Sequence, residues 1–452
     1  MVASETTAEA EMDRSATGPT PLCLLLAKIV HTLMPSAVRM IGAGFQFLST
    51  VMVARTLGDG PSALFFFWSS VLMTSGPIAS YGLEQIALRN VPRLEPEGHG
   101  AVAAFVANLR AMSLAVSVLI GLGWLIFAVV TDRNSDGFQL WHLLPLFAQG
   151  AIALTLINGE ALKGLSHPVL GSLFGHVLPA GLFCLLVALA TFATGAFDST
   201  EILALYTGSF VLGAVFARFA PGGAFRDRFI LWPEKSQFRT LLREGFPVCC
   251  VSLFGALGFI VPLSICEVTR PAAEVSHLTA AFRVSILFVV LSGAIHSVFA
   301  PALSRTAEMR NPLRPVMKVY VKSIAIALLT LGIPIAIGMI FPETVMTVFG
   351  EEFRDGAGAL RLLLLVQLLS LMMGPVPYLL LMTGHTAFLA RLGILKLVIV
   401  VGLSFLLIPR FGGTGMVVAM GIAFLGEGLI GVAYAVAKMK GQEQREKEAA
   451  AE

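Results

Sequence analysis

About twelve times along its 452 residues, this sequence runs apolar for some stretch of helix-spanning length with almost no charge. The runs centre near Gln46, Ser75, Val116, Gly150, Leu182, Val211, Phe254, Leu291, Ala327, Leu371, Val400 and Ala423. Each is close to the roughly 20 residues that a helix needs to cross about 30 Å of hydrocarbon. No water is available there to satisfy the peptide groups, so a helix that bonds its own backbone is the economical solution. The expected fold class is an all-α polytopic membrane protein.

Composition agrees with this: 56% of the residues are hydrophobic and only 13% are charged, against roughly 25% in a soluble domain. The 31 basic and 28 acidic side chains nearly cancel, and the net charge of +3 gives no footing for nucleic acid. What matters is where those charges sit. Arg89 and Arg93, Lys163, the group from Arg226 to Arg243, the group from Arg305 to Lys318, and finally Lys438 and Lys440 occupy alternate connections. The intervening connections hold Asp59, Asp132, Asp136, Asp198, Glu201, Glu267, Glu274, Glu343, Glu351 and Glu352, with fewer basic residues. By the positive-inside rule the basic connections are cytoplasmic, and so are both termini.

The polar stretch 221–240 reads as a basic linker between two halves. The expected organisation is a cytoplasmic tail over 1–21, a first lobe of six helices over 22–220, a second over 241–438, and a tail over 439–452. Pairs of like residues recur at an offset of 218: Gln149 with Gln367, His167 with His385, Gly175 with Gly393, Gly208 with Gly426, Gly213 with Gly431, and Phe216 with Tyr434. Shifted by one residue, the segment beginning Ser75-Gly76 also resembles that beginning Ser292-Gly293. An even number of spans per repeat makes the halves parallel, related by an axis along the membrane normal, with a cleft between them.

An ionised side chain near mid-bilayer costs at least about 2.5–3.5 kcal/mol on insertion scales, so it requires water, a partner or a substrate. Four such groups stand out: Arg39, Arg283, Lys396 and Glu427. The three cations suit a cavity that receives an anion, and a guanidinium matches phosphate oxygens with paired hydrogen bonds. Arg39, Arg283 and Lys396 are therefore the candidate substrate-binding residues. Glu427 suits either an ion pair with Lys396 or a coupling proton or sodium ion. The five cysteines show no metal-ligand spacing, and no cofactor is expected.

The segment Ala54-Arg55-Thr56-Leu57-Gly58, followed by an aromatic-rich helix and Tyr81-Gly82-Leu83, resembles the opening of the Wzx-type polysaccharide flippases. Phe349-Gly350-Glu351-Glu352-Phe353 with Ala357, Leu360 and Leu363, then Gly412-Gly413-Thr414-Gly415, is similar to that family's second half. These flippases belong to the multidrug/oligosaccharidyl-lipid/polysaccharide (MOP) exporter superfamily. The resemblance implies two six-helix lobes around a central cavity and translocation of an undecaprenyl-diphosphate oligosaccharide for polysaccharide or lipopolysaccharide synthesis. It implies a bacterial cytoplasmic membrane, with membrane lipids around the chain and a polysaccharide polymerase and glycosyltransferases as candidate partners. It also places cavity arginines in the first and eighth helices, where Arg39 and Arg283 lie. An acidic residue inside the first span, as in the drug exporters, is missing.

The main rival is an ion-coupled drug exporter of the same superfamily, which would want buried carboxylates where this chain carries cations. A major facilitator carrier is disfavoured because the link from Asn90 to His99 lacks Gly-x-x-x-Asp-Arg. A polytopic glycosyltransferase or polymerase would need a larger outward loop than any here. No Walker A sequence or His-Glu-x-x-His is present, so the chain is expected not to be an enzyme, with flux driven by an ion gradient or by removal of product.

Overall fold

The computed structural model describes residues 21–131, 138–194, 198–217, 232–307, 309, 312–382 and 385–449. In the first half the helices are α1 (Pro21–Leu57), α2 (Asp59–Ala79), α3 (Leu83–Leu94), α4 (His99–Thr131), α5 (Leu144–Gly164), α6 (Pro168–Ser172), α7 (Leu178–Thr194) and α8 (Ser199–Phe216). The second half contains α9 (Lys235–Thr269), α10 (Ala272–Ala307), α11 (Leu313–Ala327), α12 (Ile333–Ile340), α13 (Pro342–Met346), α14 (Ala357–Met373), α15 (Val376–Met382) and α16 (Thr386–Ala449). Most of the expected linker lies outside the described residues, and Lys235 already begins α9. Residues 439–449 continue α16, while 1–20 and 450–452 lie outside the described residues.

Eleven described helical stretches are long and apolar enough to span a membrane. The last of them contains two crossings. At Gly412 the backbone takes φ 60° and ψ −140°, outside helical space, and the limbs before and after it fold back on each other. Lys396 reaches Glu427 at 2.8 Å, and a Cβ on Gly431 would lie 3.5 Å from Leu392. The eleventh and twelfth apolar runs are thus an antiparallel hairpin. Two spans contain a π-helical turn, Leu173–Val177 between α6 and α7, and Leu328–Gly332 between α11 and α12.

Apolar side chains point outward over much of the surface. Phe192 is 94% exposed, and Leu119, Val130, Leu329, Ile333 and Val398 are exposed as well, which is stable only where the surrounding medium is lipid. The chain is a multi-pass membrane protein.

The duplication is visible in backbone detail. The His167 amide bonds the Leu162 carbonyl at 3.0 Å, and Gly171 bonds His167 at 2.9 Å; 218 residues later His385 bonds Leu380 at 2.8 Å, and Leu389 bonds His385 at 3.1 Å. Helices α1 to α8 form one lobe and α9 to α16 the other, and they meet chiefly where α2 lies against α9 and α10.

One end of the bundle bears Asp59, Asp198, Glu274 and Glu343 and is called the acidic face; the opposite end bears Arg89, Arg93, Lys163 and Arg239 and is called the basic face. Arg270, Arg354 and Arg410 also lie toward the acidic face, so the asymmetry is one of balance. Near the acidic face the lobes share an aromatic core: Phe66 packs edge-on to Phe353 at 6.2 Å and Phe47 to Phe349 at 5.6 Å between ring centres. At the basic face Arg89 pairs with Glu244, and the Asn108 amide donates to Gln237 at 3.1 Å.

Glu84, on the interfacial helix α3, is buried beside this basic-face junction. Burial raises its carboxyl above the usual carboxylate range, the Ser80 hydroxyl bond opposes that, and nearby Glu160 adds to it. As pH climbs through the ordinary carboxylate range, an unfolded chain gives up this proton before the folded chain does, so folded stability falls until Glu84 itself ionises. Glu84→Gln is therefore expected to melt higher than the parent at neutral pH, with the gap closing toward about pH 4. Thermal midpoints measured across that range check this.

Candidate functional site: two chambers on either side of α10

Along its middle, α10 separates two cavities, and Val289 and Gly293 line both. The first, of about 430 Å³, lies against the N-terminal lobe and includes Gln46, Ser49, His176, Pro179, Phe183 and Tyr206. It sits where α1 approaches the π turn at His176: a Cβ on Gly42 would lie 3.3 Å from the His176 backbone. Such turns release one residue from the regular helical pattern and are frequent at functional positions. The second cavity, of about 440 Å³, lies in the C-terminal lobe and is walled by Phe259, Phe282, Leu363, Val417, Met420 and Phe424, with Ser292, His296, Gln367 and Ser370 among its polar lining.

Arg283 sits on α10 between Phe282 and Ser285, which line the second chamber, and toward the acidic face from the first. It is 9% exposed. Its Nη2 donates to the Ser69 hydroxyl at 2.8 Å and the Ser70 hydroxyl at 3.2 Å, both on α2 of the other lobe. Its Nε is buried without a hydrogen-bond partner among the described residues, and none of the described ion pairs supplies it with a carboxylate. The phenol of Tyr206 lies within electrostatic reach of the guanidinium, and its hydroxyl, in the wall of the first chamber, is likewise buried and unpaired. Two buried donors without a partner among the described residues thus lie within electrostatic reach of each other near the lobe interface, and Tyr206 borders the first chamber. Leaving such groups buried costs about 1–3 kcal/mol each, a cost an anion at that point would relieve.

The contacts beyond Arg283 hold the lobes together. Ser62 and Ser276 share a hydrogen bond at 2.7 Å, Arg55 donates to the Val348 carbonyl at 2.8 Å, and His277 faces Asp59 at 3.4 Å. Every one of these pairs joins opposite lobes.

The other charged candidates fall elsewhere. The backbone of Arg39 lies in α1, one position before the chamber-lining Met40; its side chain lies outside the described residues. Lys396 and Glu427 are joined to each other within the α16 hairpin, and Lys396 also lies 4.8 Å from the ring centre of Phe424. Neither lines the two chambers. Removing one member strands the other charge in an apolar setting, at about 3–5 kcal/mol, whereas removing both does not. Lys396→Met and Glu427→Gln singly are expected to lower the thermal midpoint more than the double variant does, as thermal melts in detergent would read.

Sequence reasoning passed over Tyr206, Ser69 and Ser70, which carry no charge to mark them. It also passed over Arg110, fully buried on α4, whose Nε donates to the Asn158 side chain at 2.8 Å. An arginine inside a 33-residue apolar helix was a visible signal.

No family model matches the sequence. The chain is similar to the probable low-salt glycan biosynthesis flippase Agl15 of Haloferax volcanii, with 23% identity over 394 residues that cover 85% of this chain and 78% of that protein. Among solved structures it is similar to an inward-facing multidrug resistance MATE family transporter of the MOP superfamily, with a TM-score of 0.67 and 17% identity over 92% of this chain and 99% of the other. A MOP superfamily transporter from Pyrococcus furiosus, described as having a binding pocket of reversed polarity, aligns with a TM-score of 0.60 and 17% identity over 91% and 96% of the two chains. This chain therefore shares the fold of these solved transporters.

Proposed function

We propose that this chain is a flippase that carries a lipid-linked oligosaccharide, joined through a diphosphate to undecaprenol, from the basic face to the acidic face by alternating access. The basic face is cytoplasmic on this reading, both termini lie on that side, and the membrane is the bacterial cytoplasmic membrane. The observation that carries the proposal is Arg283: a buried guanidinium without a described carboxylate partner, within electrostatic reach of Tyr206, which lines a chamber and whose hydroxyl has no partner among the described residues. A diphosphate supplies the acceptors that both groups lack. Arg39 is the second cation assigned to this headgroup.

A glycan and diphosphate cannot cross hydrocarbon unaided, so the cavity lends them polar partners while the lobes exchange the end at which they touch. In that exchange the Ser69, Ser70, Ser62 and Arg55 contacts break. Lys396 and Glu427 neutralise one another, and a coupling proton or sodium ion at Glu427 has to displace Lys396. The rival reading, an ion-coupled multidrug exporter, draws on the aromatic wall of the second chamber, where Phe259, Phe282 and Phe424 suit an apolar drug.

Reconstitution in liposomes with a labelled undecaprenyl-diphosphate oligosaccharide and, separately, a fluorescent cationic drug separates the two. Movement of the glycan lipid alone is the expected result. Movement of the drug alone would reject the flippase reading.

A further inference from the structure

The two halves of this chain carry like residues at an offset of 217–218, and the structures around one such matched set differ. In the first half the Ser75 hydroxyl bonds the Gln149 side-chain oxygen at 2.8 Å, and a Cβ on Gly76 would meet Ile152 at 2.8 Å. Helices α2 and α5 are zipped shut there. The matching residues of the second half are Ser292, Gly293 and Gln367, on α10 and α14. Ser292 turns back to the Val289 carbonyl of its own helix at 2.9 Å, Gly293 faces open space, and all three line the C-lobe chamber. A packed seam in one copy is a cavity in the other.

The chamber is graded along its length. Ser292, His296 and Ser370 lie toward the basic face, while Phe282, Leu363 and Val417 lie toward the acidic face. Its wall is therefore mostly apolar with a polar rim at one end. It adjoins the N-lobe chamber across α10, where Val289 and Gly293 line both and Gly293 puts no side chain between them.

We infer that the C-lobe chamber holds the isoprenyl units nearest the diphosphate, so that the lipid tail enters the protein beside its headgroup instead of remaining wholly in the bilayer. The inference rests on the flippase reading and adds to it a second, apolar subsite. Its physical basis is the wall that the two chambers share at Val289 and Gly293. A headgroup drawn into a polar cavity takes its first isoprenyl units with it, and those units would face water unless an apolar wall receives them. A chamber of this size and lining meets the usual description of a small-ligand site, apolar with a few placed polar groups.

The test uses the full-length chain in lipid nanodiscs with a farnesyl diphosphate that bears a diazirine at its far end. Expected labelling falls on α14 between Leu363 and Leu371 and on α16 between Val417 and Phe424. Excess farnesol displaces it, and Ser370→Phe, which fills the chamber, lowers it at least tenfold. Ser292→Phe is the second narrowing variant should the first fail to fold, and farnesol displacement in the parent chain needs neither.

Labelling confined to lipid-facing positions such as Leu329 and Val398, labelling untouched by both narrowing variants, or displacement by ethidium and not by farnesol would overturn the inference. The two proposals fail differently. If farnesol competes and inorganic diphosphate does not, with Arg283→Ala without effect, the tail chamber stands and the anion site falls. If diphosphate competes but the label lies outside the chamber, the anion site stands and the tail chamber falls.

Discussion

Arg283→Ala is expected to cut transport of the lipid-linked oligosaccharide about ten- to hundredfold, since hydrogen bonds to a charged group are worth about 1.5–3 kcal/mol and each 1.4 kcal/mol is a factor of ten. The amount of protein in the membrane should change little, because alanine removes a buried charge along with its bonds and leaves Ser69 with its own Phe66 carbonyl at 3.3 Å. Arg283→Lys should recover part of the activity: an ammonium keeps the charge but cannot offer paired, coplanar donors. Flux in liposomes, normalised to reconstituted protein, measures all three. Full activity in the alanine variant would remove Arg283 from the headgroup site and leave it as a strut between lobes.

Gly412→Val is expected to have the largest effect on stability. The backbone there has φ 60° and ψ −140°, a region open almost only to glycine, and a side chain costs about 1–3 kcal/mol in strain alone. A Cβ would also overlap the Glu274 carboxylate, which accepts the Gly413 amide at 2.7 Å. The same turn is tied from below by Arg270, whose Nη2 donates to the carbonyls of Ile408 at 2.7 Å and Pro409 at 3.0 Å. Losing this knot frees the last hairpin from the α9–α10 corner. A marked drop in the thermal midpoint in detergent, with aggregation on size-exclusion chromatography, is the expected outcome. Glu274→Gln should fall well short of it, because its amide oxygen still accepts from Gly413.

The membrane spans were legible from residue order because hydrocarbon thickness sets a length and forbids charge, and both constraints act on contiguous sequence. The duplication was legible for a related reason: His167 and His385 each end one helix and start the next through bonds to residues four or five places away. The α16 hairpin was legible in part. Its two apolar runs were read as separate spans, and they are; what sequence did not show is that the chain reverses at Gly412, which brings Lys396 against Glu427 and Gly431 against Leu392.

The candidate site was legible only in part. Depth picked out four charged residues, since burying an ion is costly wherever it occurs, but depth does not say what an ion faces. Lys396 and Glu427 face each other. Arg283 faces two serines 214 and 213 residues away, and Tyr206, neutral and equally buried, carried no comparable mark.

Residue order by itself determined that this chain lives in lipid, about how often it crosses, and which residues recur between its halves, because each follows from local length, local charge or internal repetition. The tertiary structure alone decided that the second half opens a chamber where the first closes a seam, and that a guanidinium comes within electrostatic reach of a phenol far from it in sequence. Those outcomes depend on how helices from distant parts of the chain pack, and packing is a property of surfaces in contact that no single stretch of sequence contains.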